Sequence, residues 1–487
     1  MSAHTFLWHD YETFGAVARR DRPAQFAAVR TDAELNECGD PIMLYCQPAP
    51  DYLPDPQSCL ITGITPQQCI ALGVPEYRFA ARIEQALGAT GTIGVGYNTI
   101  RFDDEITRFM FWRNLIDPYA REWQNNCGRW DLLDVVRTAY ALRPDGIEWP
   151  RNEDGKPSFR LEHLTAANGI AHAAAHDALS DVRATVALAR LVRANNSKLF
   201  DFCLGLRKKE RVAEEIGFPQ RRPLLHVSGM FPAERGCLGV VWPLAVHPVN
   251  KNEVIVWDLA ADPSELLDLD VETMRLRMFT RADALPEGVA RLPIKTIHLN
   301  KSPIVIANLK TLSPQMAERW QLDIGQALRH AELAAAPNLS AALDARWREV
   351  FERPREAAPD VDEDLYGGFI GPGDRRLLNQ LRGLPPDQLA AARPAFQDGR
   401  LDDLLFRYRA RNFPDSLSHD ERLRWEEHRA ARLFDGDGNA RTIEQLFADI
   451  DRLSESVDEH GEDILGALYD YAESIAPSRR DNKALIA

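Results

Sequence analysis

The sequence predicts a layered α/β region at the N-terminus, a β-rich middle region and a helical C-terminal region. Three short apolar runs between residues 5 and 47 have the composition of β-strands, and segments with helical spacing follow them, as in Phe79, Ile83 and Leu87. Strands followed by helix–strand–helix units are typical of a layered α/β fold. Short β-type runs separated by Gly, Pro and Asn follow residue 197, and helical patterns return at about residue 313.

The individual elements follow from local patterns. TFLWHDY, QFAAVRTD and PIMLYCQP are the predicted strands, and TGTIGVGYN is a further short strand between two predicted helices, EYRFAARIEQALG and DDEITRFMFWRNL. SDVRATVALARLVRAN is a strong predicted helix that fades at about residue 195. The acidic, glycine-rich stretch APDVDEDLYGGFIGPGD is a predicted connector, in which Tyr366 and Phe369 are available for packing. We therefore expect three domains, residues 1–196, 197–350 and 351–487.

Composition limits the class of protein. Hydrophobic residues make up 45% and charged residues 27% of the 487 residues, which is typical of a soluble globular protein. A membrane helix would need a run of about eighteen apolar residues, which does not occur, and the N-terminus lacks the pattern of a secretion signal. The seven cysteines have no disulfide or zinc spacing, so we expect reduced thiols and a cytoplasmic protein. The net charge of −15 argues only weakly against nucleic acid, because local patches decide binding.

Four acidic residues and a histidine carry the predicted chemistry. Asp10 and Glu12 end the first strand, and residues i and i+2 of a strand share one face. Asp103 follows an apolar strand and opens a helix, Asp181 opens the strong helix, and His176 lies in the loop before it. Clustered carboxylates suit two Mg²⁺ ions about 4 Å apart, as in phosphoryl transfer, and a histidine can take a proton from water. The spacing therefore predicts a two-metal site.

Each of these residues also has a structural interpretation. Asp103 and its neighbour Asp104 precede a helix and are suited to cap it, and Asp181 is an acid that a helix dipole would favour. A lone histidine such as His176 is more often packed than catalytic. The ordered combination of all these positions within about 180 residues favours the functional interpretation over the structural one.

The motifs HDYETFG, GYNTIRFDDE and AHDALSDVRAT resemble the DEDD exonucleases that use a histidine, which have a ribonuclease-H-like fold. Together with RPAQFAAVRTD, PSFRLEHLTAANGI, LNKSPIV and YRARNFP, they resemble the bacterial exonuclease I family over nearly the whole chain. The resemblance implies a monomeric 3′→5′ exonuclease that degrades single-stranded DNA to 5′-mononucleotides during DNA repair and recombination. It also implies an SH3-like β-barrel domain and a helical domain, which close a groove over the strand.

Carried over by motif, Asp10, Glu12, Asp103 and Asp181 would be metal ligands and His176 the general base. Asp103 is preferred to Asp104 because the motif places the ligand directly after a phenylalanine. The resemblance implies Mg²⁺ as the cofactor, with Mn²⁺ able to substitute for it.

Residues that would contact the DNA strand are predicted from aromatic and basic side chains. Glu12, Thr13 and Phe14 adjoin the metal site, so Thr13 and Phe14 would meet the terminal nucleotide, Phe14 by stacking. The stretch LLFRYRARNFP interleaves basic and aromatic residues, including Arg407, Tyr408 and Arg409, as single-strand binders do. Its structural alternative is a helix edge whose arginines extend into solvent.

The resemblance also implies that the acidic tail of single-strand DNA-binding protein docks on this chain. Arg143 and Arg222 match basic positions of the family and are the candidates for that contact. Two other functions stay open on the sequence alone. One is a 3′→5′ exoribonuclease, because the active-site residues do not distinguish DNA from RNA. The other is a catalytically inactive single-strand-binding scaffold, against which the intact ligand set argues.

Overall fold

A computed structural model of the chain describes residues 4–172, 177–352 and 358–477. The chain divides into two compact units. The first comprises Met1–Gly128, Ala173–Arg183 and Ala357–Ala487, and the second comprises Arg129–His172 and Ala184–Glu356. Among the described residues, no helix combines the length and the apolar character that a membrane crossing requires.

The first unit contains a mixed sheet in the order β3-β2-β1-β4. Its strands are β1 (Thr5–Thr13), β2 (Pro23–Thr31), β3 (Ile42–Tyr45) and β4 (Thr92–Gly96). β1 pairs antiparallel with β2 and parallel with β4, so it lies inside the sheet, and residues on both of its faces are buried. The four strands predicted for this region are confirmed.

Helices pack against this sheet and share its core. The two predicted helices are α3 (Glu76–Leu87) and α4 (Asp103–Arg113), and two short helices that the apolar spacing does not predict precede them, α1 (Pro56–Thr62) and α2 (Pro66–Leu72). Phe79 and Ile83 of α3 belong to one buried cluster with Leu7 of β1 and Met110 of α4. The cluster fixes the start of α4, where Asp103 lies, relative to the sheet.

The second unit combines helices with an antiparallel sheet, as the composition after residue 197 predicts. Its sheet has the order β10-β6-β7-β8-β9, with strands β6 (Leu224–Val227), β7 (Leu238–Val246), β8 (Glu253–Asp258), β9 (Ile294–His298) and β10 (Ile304–Ile306). Its helices are α5 (Leu132–Leu142), α6 (Leu161–Ala167), α8 (Ser197–Gly205), α9 (Lys209–Ile216), α10 (Val271–Phe279), α11 (Pro314–Arg319), α12 (Ile324–Ala334) and α13 (Pro337–Val350). Strand β5 (Gly128–Asp131) and helix α7 (Ala178–Asn195) carry the chain between the units.

The C-terminal region is helical, as predicted, and belongs to the first unit. Its helices are α14 (Pro372–Arg382), α15 (Pro386–Ala391), α16 (Arg400–Asn412), α17 (His419–Asp435), α18 (Ile443–Ser454) and α19 (Glu459–Ile475). Leu446 of α18 and Leu465 of α19 share a buried cluster with Phe14, which directly follows β1. The helical region is thus built onto the end of the strand that carries Asp10 and Glu12.

The acidic connector, which we call the strap (residues 358–371), is held by arginines. Trp112 of α4 also donates its indole N–H to the carbonyl of Val361, at 2.7 Å. Each strap acid faces a guanidinium: Asp360 with Arg407 at 2.6 Å, Asp362 with Arg22 at 3.3 Å, Glu363 with Arg20 at 3.1 Å and Asp364 with Arg400 at 3.6 Å. The strap is therefore a fixed part of the first unit.

Arg411 is the centre of the buried ion pairs. It binds Asp51 at 2.7 Å and also pairs with Asp362, and all three side chains are almost fully buried. Burial alone would raise the pKa of Asp51, but the charge and the hydrogen bonds of Arg411 hold this pKa well below its ordinary value. Both carboxylates therefore depend on the guanidinium to stay ionised inside the protein.

We expect Arg411→Ala to lower the free energy of unfolding by about 3–5 kcal/mol, because it leaves buried carboxylates without their partner. Denaturant unfolding would measure the change. Arg424→Ala is the matched control, since the Arg424–Asp403 pair is more than half exposed and such pairs contribute about 1 kcal/mol or less. Equal destabilisation by the two substitutions would contradict the central role of Arg411.

Candidate active site

Three of the predicted acidic residues meet at the end of β1. Asp10 and Glu12 lie on one face of the strand, and Asp181 reaches them from the first turn of α7. Each offers a carboxylate oxygen, and these oxygens lie within 4.8 Å of one another. Among the described residues this is the group of acidic, histidine and cysteine side chains suited to hold a metal ion. Asp10 and Glu12, which the i, i+2 spacing places on one face, thus lie together with the distant Asp181.

Asp103 adjoins this group through the backbone of β1. Its Oδ1 accepts a hydrogen bond from the Tyr11 N–H at 3.1 Å, and the Tyr11 hydroxyl lies 3.0 Å from the Thr107 hydroxyl, one turn further along α4. Burial, and then the charge of Asp10, raises the pKa of Asp103 well above its ordinary value. Asp103 is therefore close enough to Asp10 to share its electrostatic environment.

The neighbouring Asp104 points to a different partner. It is buried and forms an ion pair with Arg121. The N-cap of α4 is Phe102, whose side chain makes no capping bond. Asp104 is therefore engaged by Arg121, which favours Asp103 as the candidate ligand.

At the start of α7, one aspartate caps the helix and another belongs to the acidic group. Asp177 accepts a hydrogen bond from the backbone N–H of Ser180 at 3.1 Å, the bond of a helix cap. Asp181, one turn later, lies with Asp10 and Glu12 instead. His176 lies outside the described residues, so its role as a base stays a prediction.

The carboxylates are held where their negative charges are costly. Burial, followed by the charge of Asp181, raises the pKa of Asp10 to about 8. Burial, followed by the charges of Asp10 and Asp181, raises the pKa of Glu12 to about 9. Crowded, buried oxygen ligands are the donor set that hard divalent cations prefer, and a cation would offset the repulsion. The residues therefore fit a divalent metal site.

Phe14 does not lie where the sequence prediction requires. Its side chain is 0% exposed and packs in the core cluster with Leu446 and Leu465, so as packed it offers no face for stacking. The reason is a register shift in the pairing of β1 with β2 between Glu12 and Thr13, which ends the regular alternation of faces. Thr13 is also buried, and its hydroxyl donates to the carbonyl of Gly15 at 2.7 Å.

The stretch predicted to bind a strand through Arg407, Tyr408 and Arg409 is occupied with internal contacts. Arg407 pairs with Asp360, Arg409 pairs with Glu421 at 2.7 Å, and Tyr408 is buried in a core cluster. The structural interpretation of these side chains accounts for them better than strand binding does. Their partners are remote in the sequence, so the basic and aromatic pattern alone misleads.

Arg143 and Arg222, the candidates for partner binding, lie in the second unit and are exposed. The guanidinium of Arg143 donates to the carbonyl of Thr311, and that of Arg222 donates to the carbonyls of Glu214 and Glu215. These bonds leave part of each guanidinium facing solvent. The docking role of both residues stays a prediction.

The sequence prediction missed an exposed aromatic surface near α4. Phe369 of the strap is 86% exposed, and its ring lies 5.9 Å from that of Tyr119. Tyr366 is also largely exposed, and Arg108 of α4 lies against both Tyr119 and Tyr366. We call Tyr119, Tyr366 and Phe369 the aromatic platform. The pattern YGGF within the strap was the available signal, although it predicted packing rather than exposure.

The exonuclease family model matches residues 7–189, the part of the chain that carries the carboxylate cluster at the end of β1, so the chain is an exonuclease by class. Models of the exonuclease I SH3-like domain and the exonuclease I C-terminal domain match residues 207–353 and 359–475. The chain belongs to the exodeoxyribonuclease I family. These matches confirm the predicted nuclease, SH3-like and helical parts of the fold.

Relatives match over nearly their whole length. Exodeoxyribonuclease I of Escherichia coli (strain K12) is 47% identical over 97% of this chain and 98% of its own length. The Haemophilus influenzae enzyme is 42% identical over 96% of this chain and 98% of its own length.

Solved structures agree with these matches. A moderately thermophilic exonuclease I from Methylocaldum szegediense has a TM-score of 0.92 at 48% identity and covers 97% of this chain and 99% of its own. E. coli exonuclease I in complex with a dA16 oligonucleotide, and a zinc-bound form of its single-stranded DNA complex, both have a TM-score of 0.91 at 46% identity and cover 97% of this chain and 100% of their own.

The raised pKa values predict how stability depends on pH when no metal is present. Between about pH 4 and about pH 9, the folded protein keeps protons on Asp10 and Glu12 that the unfolded chain has released, since folding raises their pKa values from 3.8 and 4.5 to about 8 and about 9. The melting temperature in EDTA should therefore fall over this range, and Mg²⁺ should restore it.

Asp10→Asn removes one of the crowded charges. In EDTA at about pH 8.5 it should raise the melting temperature by about 2 °C or more and flatten the pH dependence. Asp32→Asn, which changes a loop aspartate elsewhere in the unit, serves as the control. A steeper fall with pH in the Asp10 variant than in the control would refute the repulsion.

Proposed function

We propose that this chain is a 3′→5′ exonuclease that hydrolyses single-stranded DNA to 5′-mononucleotides. The observation that carries the proposal is the meeting of Asp10, Glu12 and Asp181 at the end of β1. It occurs in a chain that matches a named exodeoxyribonuclease I over 97% of its length. Solved relatives with oligonucleotides support single-stranded DNA as the substrate. We further propose that the chain acts in the cytoplasm, in DNA repair and recombination, as a monomer.

The proposed mechanism assigns a task to each acidic residue. Asp10, Glu12, Asp103 and Asp181 would hold two divalent cations, Mg²⁺ with Mn²⁺ as a substitute. The chemistry that such cations supply when bound is activation of water and stabilisation of the leaving 3′ oxygen. Tyr11 orients Asp103 through its backbone N–H. His176 would take the proton of the attacking water.

The aromatic platform is the proposed contact for bases upstream of the cleaved bond. The Tyr366 hydroxyl donates to Glu105 of α4, the helix that Asp103 opens, so the platform and Asp103 are attached to the same helix. Exposed aromatic rings next to a cationic group are the surface on which successive bases stack. Phe369 meets the first requirement through its exposure and its ring contact with Tyr119, whereas the Arg108 guanidinium, 5.2 Å from the Tyr119 ring, is itself paired with Glu105 and Glu122.

We also propose that Arg143 and Arg222 bind the acidic tail of single-strand DNA-binding protein. Their exposure and their charge support the proposal, because an acidic, apolar tail requires cationic side chains at the surface. Fluorescence anisotropy with a labelled tail peptide measures the affinity. Undiminished binding by a variant with both arginines replaced by alanine would remove the assignment.

Nucleotide release tests the activity. Single-stranded DNA and RNA, each with a free or a blocked 3′ end, are incubated with Mg²⁺ or EDTA. We expect release only from DNA with a free 3′ end and only with metal. Equal release from RNA would indicate an exoribonuclease, and no release from any substrate would indicate a scaffold.

Asp10→Ala should lower the rate of release by about 1,000-fold or more, because about 4 kcal/mol of transition-state stabilisation is lost with the ligand. Binding of single-stranded DNA should change little, since the platform is intact. Filter binding and single-turnover cleavage measure the two quantities. A parallel loss of both would show that Asp10 acts in folding or binding instead.

Phe369→Ala should weaken the binding of single-stranded DNA by about 5- to 100-fold, since stacking contributes about 1–3 kcal/mol per base. The rate of the chemical step on bound DNA should stay within about threefold. Tyr469→Ala, at a partly exposed aromatic residue of α19, is the control. If both variants bind as tightly as the unchanged protein, the platform is not part of the DNA path.

A further inference from the structure

The tip of the loop that follows Glu12 is closed by the carboxylate of Asp21. Asp21 accepts a hydrogen bond from the Val17 N–H at 2.7 Å through Oδ2, and its own backbone N–H donates to the Val17 carbonyl at 2.8 Å. These two bonds close the loop between β1 and β2. The loop begins three residues after Glu12, at Gly15, and turns back to β2 at residue 23.

Tyr52 joins this loop to the end of β1. Its hydroxyl lies 2.9 Å from Asp21 Oδ1 and 3.1 Å from the carbonyl of Phe14, and that carbonyl also accepts the Asp55 N–H at 2.7 Å. A hydroxyl has one proton, so Tyr52 can donate to one of its two acceptors at a time. Tyr52 and Asp21 therefore act as one unit on the backbone directly after Glu12.

Gly15 shows how closely Asp21 approaches this backbone. A Cβ atom at Gly15 would lie 2.1 Å from Asp21 Oδ2, far inside a van der Waals contact. The nearest atoms to that position all belong to the Asp21 carboxyl group. A side chain at residue 15 and the carboxylate of Asp21 are thus mutually exclusive in this conformation.

Packing holds the loop only in part, through Ala18, which lies against the core cluster of β1 and α3. Ala16, Val17 and Arg20 line a cavity of about 780 Å³ that also reaches Tyr52 and Arg441. Val17 is 44% exposed, although it is apolar and only five residues from Glu12. Asp21 therefore holds the exposed tip of the loop at Val17, while Ala18 packs against the core and Arg20 pairs with Glu363.

We propose that Asp21 is a positioning residue for the terminal nucleotide of the substrate. Together with Tyr52 it fixes the backbone from Thr13 to Gly15, which directly follows Glu12 of the carboxylate cluster and would meet the sugar and base of the last nucleotide. The inference rests on the proposed exonuclease function, since it assigns the loop to the strand end that Asp10 and Glu12 would cleave.

Asp21→Ala tests the proposal. We expect kcat/KM for single-stranded DNA to fall about 10- to 100-fold, because a displacement of about 1 Å at the reacting end costs that much. The Mg²⁺ concentration for half-maximal rate should not change, because Asp10, Glu12 and Asp181 are untouched. A change in the Mg²⁺ concentration for half-maximal rate would overturn the proposal, because it would show that Asp21 shapes the metal site.

Asp21→Asn is the conservative variant. Its amide oxygen can accept the Val17 N–H, and its NH₂ group can donate to the Tyr52 hydroxyl, which then donates to the Phe14 carbonyl. The Asp21→Asn variant should keep kcat/KM within about threefold of the value for the unchanged protein. If the negative charge of Asp21 were itself required, this variant would lose activity as Asp21→Ala does. A loss as large as that of Asp21→Ala contradicts positioning by hydrogen bonds.

A double-mutant cycle with Gly15→Ala adds a second measurement. Alone, Gly15→Ala should reduce kcat/KM about as much as Asp21→Ala, because the new methyl group displaces the carboxylate. Combined with Asp21→Ala, it should cause little further loss, since the clash is gone. Additive losses would show that Gly15 is constrained by something other than Asp21.

Asp32→Ala is the matched control. Asp32 closes the loop after β2 in the same manner, by accepting the N–H groups of Glu34 and Asn36, both at 2.9 Å. The kcat/KM of the Asp32→Ala variant should equal that of the unchanged protein. An equal loss of kcat/KM in the Asp32→Ala and Asp21→Ala variants would overturn the role of Asp21. Failure of the unchanged protein to release nucleotides would instead refute the proposed function, so the two failures are distinct.

Discussion

Repulsion among the carboxylates at the end of β1 is the main constraint that the fold of the first unit must overcome. Folding brings Asp10, Glu12 and Asp181 together although burial and mutual charge raise the pKa values of Asp10 and Glu12 to about 8 and about 9. The neighbouring elements hold them in place: β1 is paired on both sides, and Tyr11 binds Asp103. Such crowding lowers stability and therefore points to a function that uses it.

The first unit also contains buried acids that have a structural role. Arg411 neutralises Asp51 and Asp362 inside the protein, and both pKa values lie well below their ordinary range. The pKa values of Asp10 and Glu12 shift in the opposite direction, because the described protein side chains near them are acids rather than arginines. The opposite shifts of these two groups thus follow from the opposite charges that lie beside the carboxylates.

The sequence could predict what depends on local periodicity. Alternation along a strand placed Asp10 and Glu12 on one face, and the ordered motifs added Asp103 and Asp181. The burial of Phe14 could not be predicted, because a register shift between Glu12 and Thr13, which no composition signal marks, interrupts that alternation. The ion pairs of the basic stretch at α16 could not be predicted either, because its acidic partners are distant in the sequence. Helices α1 and α2 were missed although each begins with a capping residue followed by proline, a signal that apolar spacing ignores.

The strap explains why a net charge of −15 is compatible with a nucleic-acid substrate. Its sequence is among the most acidic of the chain, yet each of its acids faces an arginine of the same unit: Asp360, Asp362, Glu363 and Asp364. Paired in this way, the carboxylates add little field outside the protein, and the strap exposes Tyr366 and Phe369 instead. A sum of formal charges counts paired and unpaired acids alike, whereas a DNA strand meets only the local potential and the aromatic surface. The pairing of each acid, rather than the total, therefore decides what this surface can bind.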